Sequence, residues 1–567
     1  MRPHIVFLGF VIAASVIGGR LFSLQVKDYG LFAAFARGQQ QVFATINQER
    51  GKIMGRELSG NVVSLAVNRD WQMLYAVPKD IQDPQKTAHV LAVILGMPEQ
   101  DLYERLRQPD DPYEPIKHQL SDEEVSKISQ LAVPGLKFQS ERLRFYPFGK
   151  ELSHVLGFLA QNDQDQNRVG RYGIEAQYEE LLQGHSGALT GERDGRGQVL
   201  KALSKIIETP QDGATVVLTI DPNIQHVAER VLADTVEKFG ADGGTVIVAD
   251  PKTMKIFAMA NWPTFDPNRF FEAKDHAYFD NPAVSALFEP GSVFKAITMA
   301  SAIDSGAVSP STQYDNTGSR TIGSYTISNT LQEYNGLRTM IETLEYSLNT
   351  GAIFAMEKTG PAQFSKYVHS FGFGNPSGIE LPGEVGGNLQ NLSEGRPINY
   401  ATASFGQGIA VTPISLLRSF AALANGGLLL EPRIVERIEY SDGTEAMPEH
   451  VEPIRVISQR SSRLLSAMLV QVVENGTGTP AKIAGYSIGG KTGTAQVPNL
   501  HASGYSDKDI HTFTGYFPAF DPRFVILVKI DDPKGVRYAE GSAVPAFREI
   551  AEYLITYAAV PPDNPTK

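Results

Sequence analysis

The 567-residue chain contains no cysteine. Disulfide bonds, iron–sulfur clusters and cysteine-ligated zinc are therefore excluded, and no thiol is at risk in an oxidising compartment. Basic residues are in the minority, with 51 Lys and Arg against 63 Asp and Glu, which gives a formal net charge of −12. Because phosphate binding requires a basic face, this balance argues against nucleic acid as a partner. The length exceeds what one ordinary core covers and predicts two or more domains.

Long apolar runs are also absent, apart from one at the amino terminus that extends from Ile5 to Gly19. This run is shorter than the roughly 20 residues that span a bilayer, but it reaches that length at Val26 if Arg20 snorkels to the interface. We therefore predict a transmembrane anchor at 5–26, with the short basic flank in the cytoplasm and the bulk of the chain outside. A cleavable signal peptide and a buried core helix are the alternatives, although no small-x-small cleavage site follows the run.

The second half of the chain shows a regular alternation of strand and helix signals. The β-branched run Thr215–Ile220 predicts a strand, and Asp221-Pro222 predicts the start of a helix that ends at Gly240. Further strands are predicted at 245–248, 255–259, 487–496, 511–517 and 524–530, the first two as a hairpin, with a closing helix at 547–557. Helices at both ends of an antiparallel sheet, with a mostly helical middle, indicate an α+β fold.

The first candidate catalytic motif begins with Glu289-Pro290-Gly291-Ser292 and ends at Lys295. Pro-Gly breaks the preceding segment and an apolar-periodic helix follows, so Ser292 lies near a helix amino terminus with Lys295 one turn later. A serine hydroxyl is a weak nucleophile until a neighbouring base takes its proton. Lysine is such a base only where burial, the positive end of a helix or a second cation disfavours its charge. Alone, the pattern also fits a serine N-cap with a solvated lysine.

Two further polar patterns follow in the sequence. Ser347-Leu348-Asn349 places a hydroxyl and an amide within reach of one concave site if it forms a turn between helices. Lys491-Thr492-Gly493-Thr494 lies in a predicted strand, where a glycine permits close approach of a ligand and the lysine and hydroxyls can hold a carboxylate. Taken singly, the first is an ordinary polar turn and the second an edge strand protected by a lysine.

The three patterns together are much more specific. Serine and lysine in a helix, then Ser-x-Asn, then Lys-Thr-Gly in a late strand is the signature of penicillin-recognising serine enzymes. The chain resembles class B penicillin-binding proteins, the monofunctional peptidoglycan D,D-transpeptidases, over almost all of its length. The resemblance extends to Gly19-Arg20-Leu21, Leu24-Gln25-Val26, Arg50-Gly51-Lys52-Ile53, Tyr172-Gly173-Ile174-Glu175, Leu218-Thr219-Ile220-Asp221, Asp250-Pro251, Pro267-Asn268, Gly406-Gln407-Gly408, Thr412-Pro413 and Ala424-Asn425-Gly426-Gly427. One departure is Gly55 before Arg56, where the family usually has an aspartate.

The resemblance implies a domain plan. After the anchor at 5–26 we expect an elongated α+β pedestal module of the dimerisation type at 27–210. A penicillin-binding transpeptidase domain is expected at 211–558, followed by a tail at 559–567. In this family the transpeptidase domain has an antiparallel five-stranded sheet flanked by helices, together with an all-helical subdomain. The family requires no metal and no organic cofactor.

The resemblance also implies a role for each site residue. Ser292 would attack the D-Ala–D-Ala carbonyl of a stem peptide, Lys295 would accept the serine proton, and Ser347 would relay a proton to the leaving amine. Asn349 would orient the substrate amide. Lys491 and the substrate-binding residues Thr492, Gly493 and Thr494 would hold the terminal carboxylate, and the backbone N–H groups of Ser292 and Thr494 would form the oxyanion hole. β-Lactams would acylate Ser292 and remain bound.

Other functions stay open at this stage. A β-lactamase or D,D-carboxypeptidase of the same superfamily would hydrolyse its acyl-enzyme, but Ser347-Leu348-Asn349 departs from the Ser-Asp-Asn of class A β-lactamases. A penicillin-binding scaffold or sensor would bind without turnover. A bifunctional class A enzyme would need a glycosyltransferase domain, for which the region before Thr215 is too short.

Within class B, the choice is between septal and elongation-specific enzymes. The run from Thr514-Gly515-Tyr516-Phe517 through Asp521-Pro522-Arg523-Phe524 to Asp531-Asp532-Pro533 looks more like the division-specific branch. The family further implies an inner-membrane location with a periplasmic or other extracytoplasmic catalytic domain. A SEDS-family glycosyltransferase and divisome proteins are the implied partners.

Overall fold

The structure is a computed structural model that describes residues 2–27, 41–108, 111–162, 168–192, 205–330, 334–499 and 504–563. The chain divides into two compact units. The smaller comprises Met1–Gly51, Glu180–Ala214 and Tyr440–Gly443, and the larger comprises Lys52–Glu179, Thr215–Glu439 and Thr444–Lys567. Parts of the predicted domains lie outside the described residues: 28–40, 109–110, 163–167 and 193–204 of the module, 331–333 and 500–503 of the transpeptidase domain, and 564–567 of the tail.

The smaller unit begins with the apolar amino terminus, which forms one continuous helix. It is α-helical over Arg2–Phe22 and π-helical over Ser23–Lys27. Within the segment His4–Lys27, the most apolar window of 18 residues has a mean hydropathy of 2.2 and is not buried against protein. At about 1.5 Å per residue it is long enough to cross a hydrocarbon core of about 30 Å. This helix is therefore a candidate membrane anchor. The unit also contains an antiparallel sheet of the strands Gln41–Ile46, Gly187–Glu192 and Lys205–Glu208.

The larger unit opens with an α+β part that has its own core. Its strands are Ile53–Arg56, Val62–Ala76, Glu114–Leu120, Leu136–Phe145, Phe158–Gln161 and Arg168–Arg171, and its helices are Pro84–Leu95, Glu99–Leu106, Asp122–Leu131, Ser153–Leu156 and Gly173–Gln177. The short helix Glu179–Gln183 follows, and all of it except its first residue belongs to the smaller unit. Leu91 and Leu102 from the helices pack with Ile116 and Ile128 in one buried cluster. Apolar residues at helical spacing thus cover one face of the sheet.

The predicted strand and helix after residue 214 are confirmed. Strand Thr215–Leu218 pairs in parallel with Ile53–Arg56 and antiparallel with Val435–Glu439. The helix Pro222–Phe239 follows at once, because the Asp221 carboxylate accepts hydrogen bonds from the first free backbone N–H groups. Gly240 ends the helix with φ of 53°, a left-handed conformation that glycine adopts without strain.

The antiparallel five-stranded sheet is present in the larger unit. Its strands, in spatial order, are Ile256–Trp262, Gly243–Ala249, Phe524–Asp531, Tyr505–Phe517 and Gly489–Pro498. Every neighbouring pair is antiparallel. These strands confirm all five strand predictions for this region, with ends that differ by a few residues. The last strand is at an edge of the sheet, and it carries the Lys-Thr-Gly motif.

Both faces of this central sheet are covered by helices. Helices Pro222–Phe239 and Ala543–Tyr557 pack on one face, where Phe513 and Phe547 belong to the largest apolar side chains of the core. Helix Pro413–Ala424 packs against the inner strands from the opposite face. The inner strands of the sheet are therefore buried on both sides.

The middle of the larger unit is mainly helical, as predicted. Its helices are Pro282–Ser285, Lys295–Asp304, Met340–Glu345, Asn349–Thr359, Pro361–Ser370, Gln390–Ser393, Pro397–Ala403, Pro413–Ala424 and Gln459–Asn475. The expectation of an all-helical subdomain needs one correction. Strand Gln313–Asn316 pairs with Gly336–Thr339, and Ser319–Ile322 pairs with Tyr325–Ser328 across a turn at Gly323, which has φ of 59°. Alternating polar and β-branched residues around a glycine turn favour such a hairpin over a helix.

Candidate active site

Residues from all three predicted motifs line one cavity of about 480 Å³ in the larger unit. Ser292, Ser347, Asn349, Thr492 and Thr494 all contribute to its wall. These residues come from a helix amino terminus, a turn between two helices and the edge strand of the central sheet. The fold therefore brings together segments that are far apart in the sequence, as the motif order predicts.

Ser292 lies in a tight turn that precedes its helix. Residues Gly291–Phe294 form one turn of 3-10 helix, and the α-helix begins at Lys295. Gly291 has φ of 58°, and its N–H donates to the carbonyl of Gly406 at 3.0 Å. A Cβ on Gly406 would lie 2.2 Å from Gly291 O. The Gly406-Gln407-Gly408 loop can therefore support the serine turn only because it has no side chain at its closest point.

Lys295 is buried, with 1% of its surface exposed. Its Nζ donates to the carbonyl of Ser347 at 2.5 Å and to Ser347 Oγ at 3.1 Å. Burial lowers the pKa of Lys295 well below its usual 10.5, and the positive charge of Lys491 lowers it further. The amine therefore gives up its proton far more readily than an exposed lysine, which a base for a serine hydroxyl requires.

Lys491 is also buried, and it approaches the same hydroxyl from the edge strand. Its Nζ donates to Ser347 Oγ at 3.1 Å and to the carbonyl and Oγ1 of Thr492 at 3.1 and 3.2 Å. Burial lowers the pKa of Lys491, whereas the carboxylate of Glu540 opposes this shift. The positive charge of Lys491 disfavours a second positive charge on Lys295 and lowers its pKa. We therefore infer that Lys295 loses its proton first and that Lys491 stays charged.

Ser347 is held in a strained backbone conformation between these two amines. It has φ of 54°, in the left-handed region that non-glycine residues rarely occupy. It lies in the turn between helices Met340–Glu345 and Asn349–Thr359. This conformation presents both its carbonyl and its hydroxyl to Lys295. Such strain persists where the surroundings hold a residue in place for its function.

Asn349 begins the helix after this turn, and its Nδ2 donates to the carbonyl of Ser328 at 2.9 Å. The next residue, Thr350, belongs to a buried network. Its N–H donates to Asn329 Oδ1 at 3.0 Å, and its Oγ1 bonds to Asn316 Oδ1 at 2.9 Å. These contacts fix the first turn of the helix and hence the position of Asn349. The Asn316–Asn329–Thr350 network was not predicted from the sequence.

The Lys-Thr-Gly strand lies directly against the serine turn. A Cβ on Gly493 would be 2.7 Å from Val293 Cγ2 and 2.9 Å from Pro290 O. The sequence pattern predicts a ligand close to this glycine, but the atoms that approach it belong to the protein. Thr494 Oγ1 accepts a hydrogen bond from Ala539 N at 3.2 Å, which joins the strand to the 3-10 turn Ala539–Gly541.

Gly291 and Gln407, which belong to motifs noted in the sequence, also line the cavity. Other lining residues were not predicted from the sequence, because no local pattern distinguishes them. They are Thr330, Tyr346, Phe405, Thr477, Gln496, Asp509, Arg537, Tyr538 and Glu540. Burial raises the pKa of the Glu540 carboxyl, and the charge of Lys491 opposes this. Within the described residues, no three His, Asp or Glu side chains lie close enough together to hold a metal ion.

Two family models match the chain. Residues 244–552 match the penicillin binding protein transpeptidase domain, and residues 45–218 match the penicillin-binding protein dimerisation domain. All eight predicted site residues fall within the first match.

Curated relatives and solved structures extend over nearly the whole chain. It is 33% identical to stage V sporulation protein D of Bacillus subtilis over 542 residues, which is 94% of this chain and 82% of that protein. It is 30% identical to the probable peptidoglycan D,D-transpeptidase PenA of Neisseria gonorrhoeae over 572 residues, covering 100% of this chain and 94% of PenA. The crystal structure of penicillin binding protein 3 from Mycobacterium tuberculosis, complexed with aztreonam, has a TM-score of 0.71 at 26% identity and covers 92% of this chain and 99% of that one.

Proposed function

The chain belongs to the class B penicillin-binding proteins, and from that premise we propose that it is a serine D,D-transpeptidase that cross-links peptidoglycan stem peptides through an acyl-enzyme on Ser292. The transpeptidase family match and the relative named as a peptidoglycan D,D-transpeptidase support the activity. The observation that carries the proposal is the position of Ser347 Oγ, which lies 3.1 Å from the amines of both Lys295 and Lys491.

Acylation begins when Ser292 Oγ attacks the carbonyl carbon of the penultimate D-alanine. Lys295 accepts the hydroxyl proton, and the new C–O bond leaves the substrate oxygen negatively charged. The backbone N–H groups of Ser292 and Thr494 stabilise this oxyanion, and each such donor typically contributes about 3 kcal/mol. The C–N bond then breaks, and the terminal D-alanine leaves with a proton that passes from Lys295 through Ser347 Oγ.

Substrate binding is assigned to the edge strand and to Asn349. Lys491 stays charged and pairs with the terminal carboxylate, and Thr492 and Thr494 donate hydrogen bonds to it. Gly493 keeps this strand close to the serine turn. Asn349 orients the amide next to the scissile bond.

In the second half-reaction an acceptor amine attacks the ester carbonyl, loses a proton to Lys295 and forms the cross-linking amide. The C–O bond to Ser292 breaks, and Ser292 regains its hydrogen.

The proposal is tested by acylation with a fluorescent penicillin. Full-length protein should be labelled on the Ser292 peptide, and Ser292→Ala should abolish labelling while leaving the melting temperature unchanged. Ser301→Ala is a matched control, since that buried hydroxyl donates to Thr298 O in the following helix; it should label normally. Persistent labelling of Ser292→Ala would place the nucleophile elsewhere. Many turnovers of a chromogenic cephalosporin would favour a hydrolase.

The proposal includes the topology. The helix at 5–26 anchors the chain as a single pass in the cytoplasmic membrane, with the catalytic domain on the extracytoplasmic side, where peptidoglycan lies. The division into a module at 27–210, a transpeptidase domain at 211–558 and a tail at 559–567 belongs to the same proposal. Deletion of residues 1–26 should release the protein from membranes. A product that stays membrane-bound would reveal a second attachment.

We further propose a septal role, supported by the division-like sequence run from Thr514 to Pro533. The partners are then a SEDS-family glycosyltransferase and other divisome proteins. Depletion should produce filaments, and a fluorescent fusion should collect at the division site. Round cells would indicate the elongation machinery instead, and a defect confined to spore formation would contradict the septal role.

A further inference from the structure

One residue outside the three motifs connects two of them. Thr477 lies in the loop after helix Gln459–Asn475 and lines the catalytic cavity. Its N–H donates to Glu345 O at 3.1 Å, two residues before Ser347. Its Oγ1 lies 2.8 Å from Thr492 Oγ1. Thr477 therefore joins the Ser-x-Asn turn to the Lys-Thr-Gly strand.

The backbone around Thr477 leaves its hydroxyl little freedom of position. A Cβ on Gly476 would lie 2.4 Å from Glu345 O, and a Cβ on Gly478 would lie 3.1 Å from Val472 O. Gly476 thus allows the loop to lie against the segment that leads to Ser347, and Gly478 allows it to lie against the end of its own helix. The place of the Thr477 hydroxyl is set by this packing and not by the substrate.

The hydrogen bonds around Thr492 Oγ1 assign its hydrogen. A threonine hydroxyl has one hydrogen and two lone pairs. Lys491 Nζ donates to Thr492 Oγ1 at 3.2 Å and takes one lone pair. If Thr477 donates as well, both lone pairs are engaged and the Thr492 hydrogen is free to point into the cavity. If Thr492 donates instead, its hydrogen is used on Thr477 and is lost to a ligand.

We propose that Thr477 is a positioning residue for the terminal carboxylate of the donor peptide, and that it acts through Thr492. The Thr477 hydroxyl donates to Thr492 Oγ1, so that the Thr492 hydrogen is held toward the carboxylate that Lys491 binds. The inference rests on the proposed function, because it assigns the direction of one hydrogen bond, from Thr477 to Thr492, in the site that binds the carboxylate in that reaction. A donor oriented before the ligand arrives needs no reorganisation when the ligand binds.

The test compares two probes on the full-length protein in detergent. One is a penicillin with its free carboxylate, and the other is the methyl ester of the same penicillin. Thr477→Val keeps the size of the side chain and removes the hydroxyl. We expect the acylation efficiency of the carboxylate probe to fall about tenfold, through weaker binding, as for the loss of one hydrogen bond to a charged group. The efficiency with the ester should stay within about twofold of the unsubstituted protein, since the ester has no charged oxygen to hold.

Two control variants separate this role from simple packing. Thr477→Ser retains the hydroxyl and should restore the carboxylate probe to within about threefold of the unsubstituted protein. Thr512→Val removes a buried hydroxyl from the neighbouring strand Tyr505–Phe517. Because Thr512 Oγ1 has no hydrogen-bond partner among the described residues, neither probe should be affected.

The outcomes divide cleanly. An unchanged carboxylate probe in Thr477→Val, an equal loss with both probes, or a Thr477→Ser variant as slow as Thr477→Val would each overturn the inference. Failure of the proposed function is read separately, from the unsubstituted protein and Ser292→Ala. If the unsubstituted protein is not acylated at Ser292, the function and the inference fall together. If it is acylated normally and the Thr477 variants do not discriminate between probes, only the inference falls.

Discussion

Two regions of the larger unit bury positive charge in different ways. In the amino-terminal part, Arg144 Nε lies 2.7 Å from Glu175 Oε1, and the two side chains are 2% and 0% exposed. Beside the catalytic cavity, Lys295 and Lys491 are buried behind Ser347 and Thr492, which line it, and they are 1% and 0% exposed. Within the described residues neither lysine forms an ion pair with a carboxylate; their amines bond to hydroxyl and carbonyl oxygens instead.

The difference indicates what each buried charge is for. A paired charge holds two elements together, and its partner offsets much of the desolvation. An unpaired charge destabilises the fold and shifts its own pKa, so it is retained where chemistry needs an easily released proton or a charge free for a ligand. We therefore infer that the arginine pair is structural, and we propose that the two lysines are functional.

Lys295→Met should give the largest effect. Methionine has a similar length but cannot accept a proton, so acylation by penicillin should fall by about 10³-fold or more. Because the substitution also removes an unpaired buried amine, the melting temperature should stay equal or rise. Stopped-flow acylation and thermal unfolding measure the two effects. A clear loss of stability would show that Lys295 is a structural residue after all.

Lys529→Met is the matched control for this variant. Lys529 is a buried lysine of the central sheet, but it is paired with Asp531 and lies outside the cavity. Its replacement should leave the acylation rate within about twofold and lower the stability, because a carboxylate loses its partner. If the comparison is correct, Lys295→Met lowers the acylation rate but not the stability, and Lys529→Met lowers the stability but not the acylation rate.

Glu175→Gln should have the next largest effect, and on stability alone. The amide keeps the shape of the carboxylate but leaves the Arg144 guanidinium uncompensated in the interior, which typically costs about 3 kcal/mol in the free energy of unfolding. Denaturant unfolding measures the loss. The folded fraction should be acylated at the rate of the unsubstituted protein. A parallel loss of acylation at full folding would mean that this pair also supports the cavity.

The sequence predicted the regular elements and the motif order well, and for physical reasons. The cap at Asp221 and the stop at Gly240 are local signals, and strand periodicity is legible wherever one side chain in two is apolar. The convergence of Ser292, Ser347 and Thr492 on one cavity followed from a resemblance and not from local chemistry. The edge position of the Lys-Thr-Gly strand was considered only as a reason against function, yet the motif lies on an edge strand and lines the cavity.

The remaining features depend on contacts that no local pattern encodes. The Arg144–Glu175 pair joins residues 31 apart, and the Thr477–Thr492 contact joins a loop to a strand. The left-handed conformation of Ser347 accompanies hydrogen bonds from Lys295 and Lys491, which are far from it in the sequence. Such long-range pairs are set by packing, so the sequence gives the residue types but not their partners.

The pH dependence of acylation sharpens the contrast between the two lysines. Lys295 is a base only when neutral, so the rate should rise as pH rises through its lowered pKa. Lys491 binds a carboxylate only when charged, so the rate should fall as pH rises through its own lowered pKa, below the usual 10.5.

Arginine stays protonated at any accessible pH. Lys491→Arg should therefore move the alkaline limb upward while lowering the maximal rate about tenfold, because the longer planar group fits the site less well. If the alkaline limb of the pH profile stays in place in Lys491→Arg, the limb reports the titration of a group other than Lys491.

The smallest effect should come from Asp70→Asn, because its partner Arg142 lies on the surface, two residues before Arg144 on the strand Leu136–Phe145. Arg142 pairs with Asp70 at 2.7 Å, the same distance as Arg144 with Glu175, but its side chains are 51% and 58% exposed. Water and salt screen such a pair, so its loss should lower the unfolding midpoint far less than Glu175→Gln does, and less still at high ionic strength. The Arg142 guanidinium holds the pKa of Asp70 below its usual 3.8. The contribution of the pair is therefore present above that pH and is lost as pH falls through the lowered pKa. Equal losses from the two variants would show that burial does not decide the value of these pairs, and the distinction between paired and unpaired buried charge would lose its basis.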